Sequence, residues 1–249
     1  MAFSQGFDKS PALNKDQAHA LFDSNGGPFK FCGFYLGGPC YLKADRGPNN
    51  EAISFTQQLH QDYIDIGYKL GYIYVGRQDQ INCNLPGSGT GTTDAQEAIG
   101  LAKNIGIPDK SVIYLDVEGG NNHSPSMVQY VTDWVNEINN TTSPQFFPGI
   151  YCSAGSSGSV AKQLYNAANN NANMWVAQYQ CAPQKSYNNN CYSTSCTNPA
   201  SINDLDPSKI FQEVYIQQYA GDVFVNYNNV CVTVDINVAK SDDPNAVQV

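Results

Sequence analysis

The chain has 249 residues, of which 41% are hydrophobic and only 14% charged, with a formal net charge of -9. That balance argues against a nucleic-acid partner, because phosphate neutralisation needs an excess of Lys and Arg, and it disfavours adhesion to anionic membranes or walls. No run approaches the ~18 apolar residues of a membrane-spanning helix, and the length suits one α/β barrel of about 250 residues, so one domain over 1–249 is expected.

In chain order, Gln5-Gly6-Phe7-Asp8 is a short predicted strand ending in an acid and broken by Lys9-Ser10-Pro11. Asn14 reads as the cap of a helix through Ala18, Leu21 and Phe22, stopped at Asn25-Gly26-Gly27-Pro28. Phe29 to Leu36 is a second strand by aromatic content, closed by Gly37-Gly38-Pro39. After a loop through Asp45 and Pro48, the spacing of Ile53, Leu59, Tyr63 and Ile66 predicts a helix, and Leu70 to Val75 is the third strand. A Gly-rich loop with Cys83 precedes a helix for which Thr93 offers a cap and Ala95, Ala98, Ile99, Ala102 and Ile105 a buried stripe. Ser111 to Val117 is the fourth strand. Ser124 or Ser126 caps the next helix, which buries Met127, Val128, Val131, Trp134, Val135 and Ile138. Pro148 to Cys152 is the fifth strand, Gly158 to Ala168 a modest helix, and Met174 to Tyr179 the sixth strand. Residues 180–213, rich in Asn, Ser and Cys, read as an insertion held by disulfide. Val214 to Tyr219 and Val230 to Ile236 are the last two strands, and the polar tail after Lys240 is expected to fray.

Eight strands alternating with helices predict an α/β fold, a single TIM-like β/α barrel with a Cys-rich insertion after strand six. The links after strands six and seven lack helical patterns, which favours an irregular barrel. A doubly wound sheet would want a Gly-rich phosphate turn after its first strand; Gly87-Ser88-Gly89-Thr90-Gly91 instead follows a polar loop. The eight cysteines, an even number, point to disulfides and an oxidising compartment. Their spacings are unlike zinc motifs, and His19, His60 and His123 are scattered, so neither a metal nor a cofactor is expected. No leader is visible ahead of Ala2-Phe3-Ser4-Gln5, so any leader is expected to have been removed. A secreted monomer is the reading.

The chemistry is organised around Ser111 to Gly120, an apolar run that presents Asp116 and Glu118 just before a Gly-Gly break. Residues two apart in a strand share a face, which puts these carboxylates roughly 7 Å apart. Asp8 and Asp235 fall at the ends of strands one and eight. In a closed barrel those strands are neighbours and strand four lies nearly opposite, so the four acids would line one mouth. Glycoside hydrolysis needs such a set: one carboxyl protonates the leaving oxygen, and another stabilises or attacks the cationic centre. Tyr151 and Tyr179 at strand ends are candidates for stacking on sugar rings, and Gln178 and Gln218 for hydrogen bonds. Alternation puts Gln178 and Tyr179 on opposite faces unless the strand has already ended. A Ser-His-Asp apparatus finds no support, and His123 reads as a loop residue rather than a base.

The ordered set Gly6-Phe7-Asp8, Tyr114-Leu115-Asp116-Val117-Glu118, Gly149-Ile150-Tyr151, Trp175-Val176-Ala177-Gln178-Tyr179, Gln217-Gln218-Tyr219 and Val234-Asp235-Ile236-Asn237 resembles glycoside hydrolase family 25, the Chalaropsis-type lysozymes. It is also similar to the related glycoside-hydrolase-like domains of unknown function that open with Gly-Phe-Asp. The resemblance implies an irregular β/α barrel that cleaves the β-1,4 bond between N-acetylmuramic acid and N-acetylglucosamine. It matches Glu118 to the general acid and Asp116 to the carboxylate supporting the 2-acetamido group or the cationic transition state. Asp8 and Asp235 match two further acids of the site, and Tyr151 and Tyr179 sugar-contacting positions. The opening Gly-Phe-Asp-Lys-Ser-Pro, the long first linkers and the Cys-rich insertion depart from the lysozyme pattern and lean toward the less characterised relatives. The expected partner is a polysaccharide, peptidoglycan first. The alternatives are a hydrolase of another cell-wall glycan and a barrel that binds carbohydrate without turnover.

Overall fold

The computed structural model describes residues 3–41, 55–81, 83–179 and 205–246. Eight strands close a barrel in sequence order: β1 (Ser4–Asp8), β2 (Phe31–Gly37), β3 (Lys69–Val75), β4 (Val112–Val117), β5 (Phe147–Ser153), β6 (Asn173–Ala177), β7 (Val214–Tyr227) and β8 (Val230–Ala239). Strands β1 to β7 run parallel. β8 is antiparallel to both of its neighbours, β7 and β1.

Helices α1 (Lys15–Leu21), α2 (Gln57–Ile66), α3 (Thr90–Ile105), α4 (Pro125–Asn139) and α5 (Ser159–Ala167) cover the outside. Local chemistry starts them. Asn14 and Gln17 form a reciprocal capping box on α1, and Thr56 caps α2. Of the two candidate caps on α4, Ser124 is the cap, with Pro125 in the first turn. α3 begins earlier than Thr93, at Thr90, without a side-chain cap. Its Asp94 is instead drawn inside to a two-pronged pair with Arg77 (2.8 and 3.2 Å) and to the Tyr130 hydroxyl (2.9 Å).

Alternation sorts each strand into two faces. Ile113, Leu115 and Val117 pack outward in the layer between strands and helices, while Val112 and Tyr114 join Phe31, Tyr35, Ile73, Tyr151 and Trp175 in a separate core cluster. Trp175 meets Phe31, Tyr114 and Tyr151 edge-on. Glycines make room for this crowd: a Cβ on Gly33 would lie 2.6 Å from the Asp8 Cβ and 2.9 Å from Ile73.

Two expectations are corrected. β7 and β8 run on past the barrel as a long two-stranded ribbon, paired out to Tyr227 and Val230, so β8 enters the barrel from the mouth end and no helix intervenes. The tail does not fray through Ala246. The Tyr114 hydroxyl donates to the Pro244 carbonyl (2.6 Å), and Asn245 bonds the Val112 amide (3.0 Å) and the Leu70 carbonyl (2.8 Å). This segment therefore plugs the end of the barrel opposite the mouth. Much of the expected Cys-rich insertion, with Cys181, Cys191 and Cys196, lies outside the described residues. Its return, 205–213, buries Leu205, Ile210 and Phe211. Cys40 and Cys83 form a disulfide, whereas Cys32 and Cys152 are buried thiols.

Candidate active site

The register of the barrel sets Asp8 directly beside Asp235 across the antiparallel β1–β8 pair. Asp8 is fully buried, and three neutral donors surround it. The Tyr35 hydroxyl donates to one oxygen (2.9 Å); Gln218 Nε2 (2.9 Å) and Asn237 Nδ2 (2.8 Å) donate to the other. The orientation of the Asn237 amide is fixed from behind, because its oxygen accepts the Trp175 indole N–H at 2.8 Å. Gln218 also donates to the Tyr151 hydroxyl at 2.6 Å, which ties the β5, β7 and β1 ends together.

At the end of β4, Asp116 is buried and one of its carboxylate oxygens has no hydrogen-bond partner. Gln78, in the turn after β3, holds this strand end. Its Nε2 donates to the Asp116 carbonyl (2.9 Å) and its Oε1 accepts the Glu118 amide (2.6 Å). Gly119 follows at φ 135°, a conformation that suits glycine, and a Cβ there would meet the Gln80 amide at 2.5 Å.

Glu118 is exposed and divides the mouth into two lobes, since it lines both. One lobe, about 480 Å³, is walled by Tyr151, Ser153, Gln178, Tyr179 and Gln218, and among the described residues it carries no other charged side chain. The other, about 280 Å³, is walled by Tyr35, Tyr41, Asp116, Asp222 and Asp235. Gln178 and Tyr179 reach the same lobe because β6 ends at Ala177. The Gln178 backbone is then pinned to β7 through the Gln218 carbonyl (2.9 Å) and the Gln217 side chain (2.9 Å).

The acids raise one another. Burial pushes Asp116 well above the usual carboxylate range, with Glu118 and Asp8 adding to it. Glu118 is raised by desolvation in the cleft and then by Asp8. Asp235 is pushed up to about 8 by burial and by Asp8, against a bond from the Asp222 amide. Asp8 is itself raised by burial, which its three donors oppose. Four such groups titrate as a set, and the set retains protons near neutral pH.

All eight residues singled out from the sequence thus lie at this mouth. Two that hold it together, Gln78 and Asn237, were not among them; Asn237 follows Asp235 at the spacing of two that shares a strand face, whereas Gln78 carries no local signal. His123 is buried in the β4–α4 loop, with Nδ1 2.7 Å from Asp79 and its amide bonded to Gln163. Among the described residues no three His, Cys, Asp or Glu side chains are grouped to hold a metal ion, and no helix is long and apolar enough to cross a membrane.

Residues 25–239 match the family described as Rv2525c-like, glycoside hydrolase-like domain. No curated protein matches the sequence. Among solved structures, the Mycobacterium tuberculosis Tat-secreted protein Rv2525c, in complex with L-tartrate, is similar at 15% identity and a TM-score of 0.56, covering 96% of each chain. The catalytic domain of endolysin ply40 from a bacteriophage of Listeria monocytogenes is similar at 14% identity and a TM-score of 0.54, over 97% of this chain and 95% of that one. GHIP, a glycosyl hydrolase 25 of Streptococcus pneumoniae, is similar at 14% identity and a TM-score of 0.55, over 97% and 89%.

Proposed function

Because the chain belongs to the Rv2525c-like, glycoside hydrolase-like domain family, and four carboxylates meet at one divided mouth, we propose that it is a glycoside hydrolase acting on a cell-wall polysaccharide. The leading substrate is the β-1,4 N-acetylmuramic acid–N-acetylglucosamine bond of peptidoglycan. The observation that carries this reading is the place of Glu118, an exposed acid with a raised pKa that lines both lobes of the cleft. A glycan laid across both lobes has a glycosidic oxygen over that residue.

In this mechanism Glu118, its carboxyl raised by desolvation in the cleft and by Asp8, donates its proton to the leaving oxygen. Asp116, with one oxygen free of other bonds, supports the 2-acetamido group or the cationic centre as charge develops. Asp8, raised by burial against the opposition of its three donors, is the neighbour whose charge, once it ionises, raises Glu118, Asp116 and Asp235 further. Asp235 completes the acidic wall. Tyr151 and Tyr179 offer ring faces, and Gln178 and Gln218 hydrogen bonds, to the sugar in the larger lobe. Secretion is part of the proposal, supported by the Cys40–Cys83 disulfide and by likeness to a Tat-secreted protein.

Glu118→Gln is expected to cut reducing-end release from purified bacterial wall by about 10²–10⁴-fold, with an unchanged circular dichroism spectrum. A wild-type protein that leaves walls and chitin oligomers intact from acidic to neutral pH would sink the hydrolase reading. Glycan binding without product, unchanged in Glu118→Gln, would replace it with a carbohydrate-binding barrel.

A further inference from the structure

Asp116 lies at the end of β4 and Glu118 just past it, on a strand paired with β5 as far as Val117 and Cys152 and held on its other edge by the residues that follow β3. Past Val75, the next three residues are each held. The Gly76 amide donates to the Asp116 carbonyl at 3.0 Å. Arg77 is anchored outside by Asp94, and its amide donates to the Tyr130 hydroxyl. Gln78 faces inward and is almost wholly buried, at 1% exposure. Its side chain spans β4, donating to the carbonyl of Asp116 and accepting from the amide of Glu118. One amide group therefore sets the backbone on both sides of Val117, the link between the two acids.

The backbone of Gln78 is fixed in turn by Cys83. The Gln78 amide donates to the Cys83 carbonyl at 2.9 Å, and the Cys83 amide returns to the Gln78 carbonyl at 3.2 Å. Cys83 is disulfide-bonded to Cys40, across a sequence separation of 43. Cys40 follows the end of β2, and its amide reaches the Val75 carbonyl at 3.5 Å. The path from disulfide to carboxylates has three short steps: Cys40–Cys83, the reciprocal Cys83–Gln78 pair, and the Gln78 amide on Asp116 and Glu118.

We infer that Gln78 is a positioning residue for the Asp116 and Glu118 carboxylates, and that the Cys40–Cys83 disulfide acts on them through Gln78. The proposal rests on the hydrolase reading for its kinetic consequence alone. Its structural consequence, the placement of Glu118 against the cleft wall, is measured without turnover. Loss of the Gln78 amide leaves the Glu118 amide unpaired and lets this strand end move toward water. A displacement of about 1 Å at reacting groups costs on the order of 10²-fold in rate.

The test uses Gln78→Leu, which keeps the bulk and removes both bonds, the double variant Cys40→Ala/Cys83→Ala, and the triple combination. In Gln78→Leu, carboxyl-carbon NMR is expected to show the Glu118 titration moving down toward that of an ordinary glutamate. On wall substrate, kcat is expected to fall about 10²-fold while KM stays within about 3-fold. The cysteine pair shifts both readouts in the same direction by less. The triple variant matches Gln78→Leu, because removing Gln78 cuts the path. Gln78→Met, an unbranched side chain of similar length that likewise removes both bonds, is expected to behave as Gln78→Leu does. An unmoved Glu118 titration in Gln78→Leu overturns the positioning role. Effects of the disulfide and Gln78 that simply add overturn the route between them. Should the cysteine variant not fold, Gln78→Leu and Gln78→Met still decide the first claim. A wild-type protein with no turnover ends the hydrolase reading, and the NMR comparison then decides the positioning claim by itself.

Discussion

At the scale of single residues, the site is a buried acid made tolerable by neutral donors. Asp8 accepts from neutral groups: a tyrosine, a glutamine and an asparagine supply the protons. Asn237 matters most among them because it is doubly committed, to Asp8 on one side and to the Trp175 indole on the other. Asn237→Ala strips one donor from a fully buried carboxyl and orphans a buried indole N–H. It is expected to cost about 1–3 kcal/mol in urea unfolding, with the titration of Asp8 moving further up. Unchanged stability would mean that water replaces both bonds. Asp8, Asp116 and Glu118 were legible in the sequence because they close strands, whereas Asp235 stands within β8 and reaches the mouth because that strand enters the barrel there. Gln78 was not, because its partners Asp116 and Glu118 lie about forty positions away and meet it only once β3 and β4 pair.

Elements show where periodicity stops being informative. Strands β1 to β6 were readable because apolar runs alternate with capped or Gly-terminated helices. The weak helical signal after β7 had a physical meaning of its own: Val223, Val225, Val232 and Val234 recur at every second position and are buried on one face of a two-stranded ribbon. The tail misled for a different reason. Ser241-Asp242-Asp243-Pro244-Asn245 is polar because it hydrogen-bonds the barrel, Ser241 to the Tyr215 hydroxyl and Asn245 to backbone groups at the starts of β3 and β4, and polarity alone reads as a loose end. The Asn245 side chain satisfies a β4 amide and a β3 carbonyl that would otherwise be buried unpaired. Asn245→Ala is therefore expected to destabilise the barrel by about 1–3 kcal/mol, a shift in Tm of roughly 2–4 °C per kcal/mol for a domain of this size. A melt unchanged within 1–2 °C would return the tail to the status of a surface strand end.

At the scale of the whole molecule, the acidic mouth sets how stability depends on pH. Asp8, Asp116, Glu118 and Asp235 all have folded-state pKa values above their ordinary ones, Asp235 reaching about 8. Between about pH 4, where unfolded carboxylates ionise, and pH 8, the native state therefore binds more protons than the unfolded chain. Stability is fully present below that window and falls as pH rises through it, by at most ~1.4 kcal/mol per pH unit for each group titrating. The lowered acids Asp62, Asp79 and Asp206 act in the opposite sense below about pH 4, and His60, lowered by burial, offsets part of the fall below its ordinary value of 6.5; four raised acids against one imidazole leave the net slope downward. Thermal melts across pH 4–8 are expected to show a falling Tm. Asp235→Asn is expected to flatten that fall and to raise Tm at pH 8, because the amide oxygen keeps the bond from Asp222 while the charge beside Asp8 is gone. A Tm that rises with pH, or a variant less stable than wild type at pH 8, would contradict the linkage. A barrel made more stable by removing one of its own acids retains that acid for a reason other than folding, and proton-dependent chemistry at the mouth supplies one.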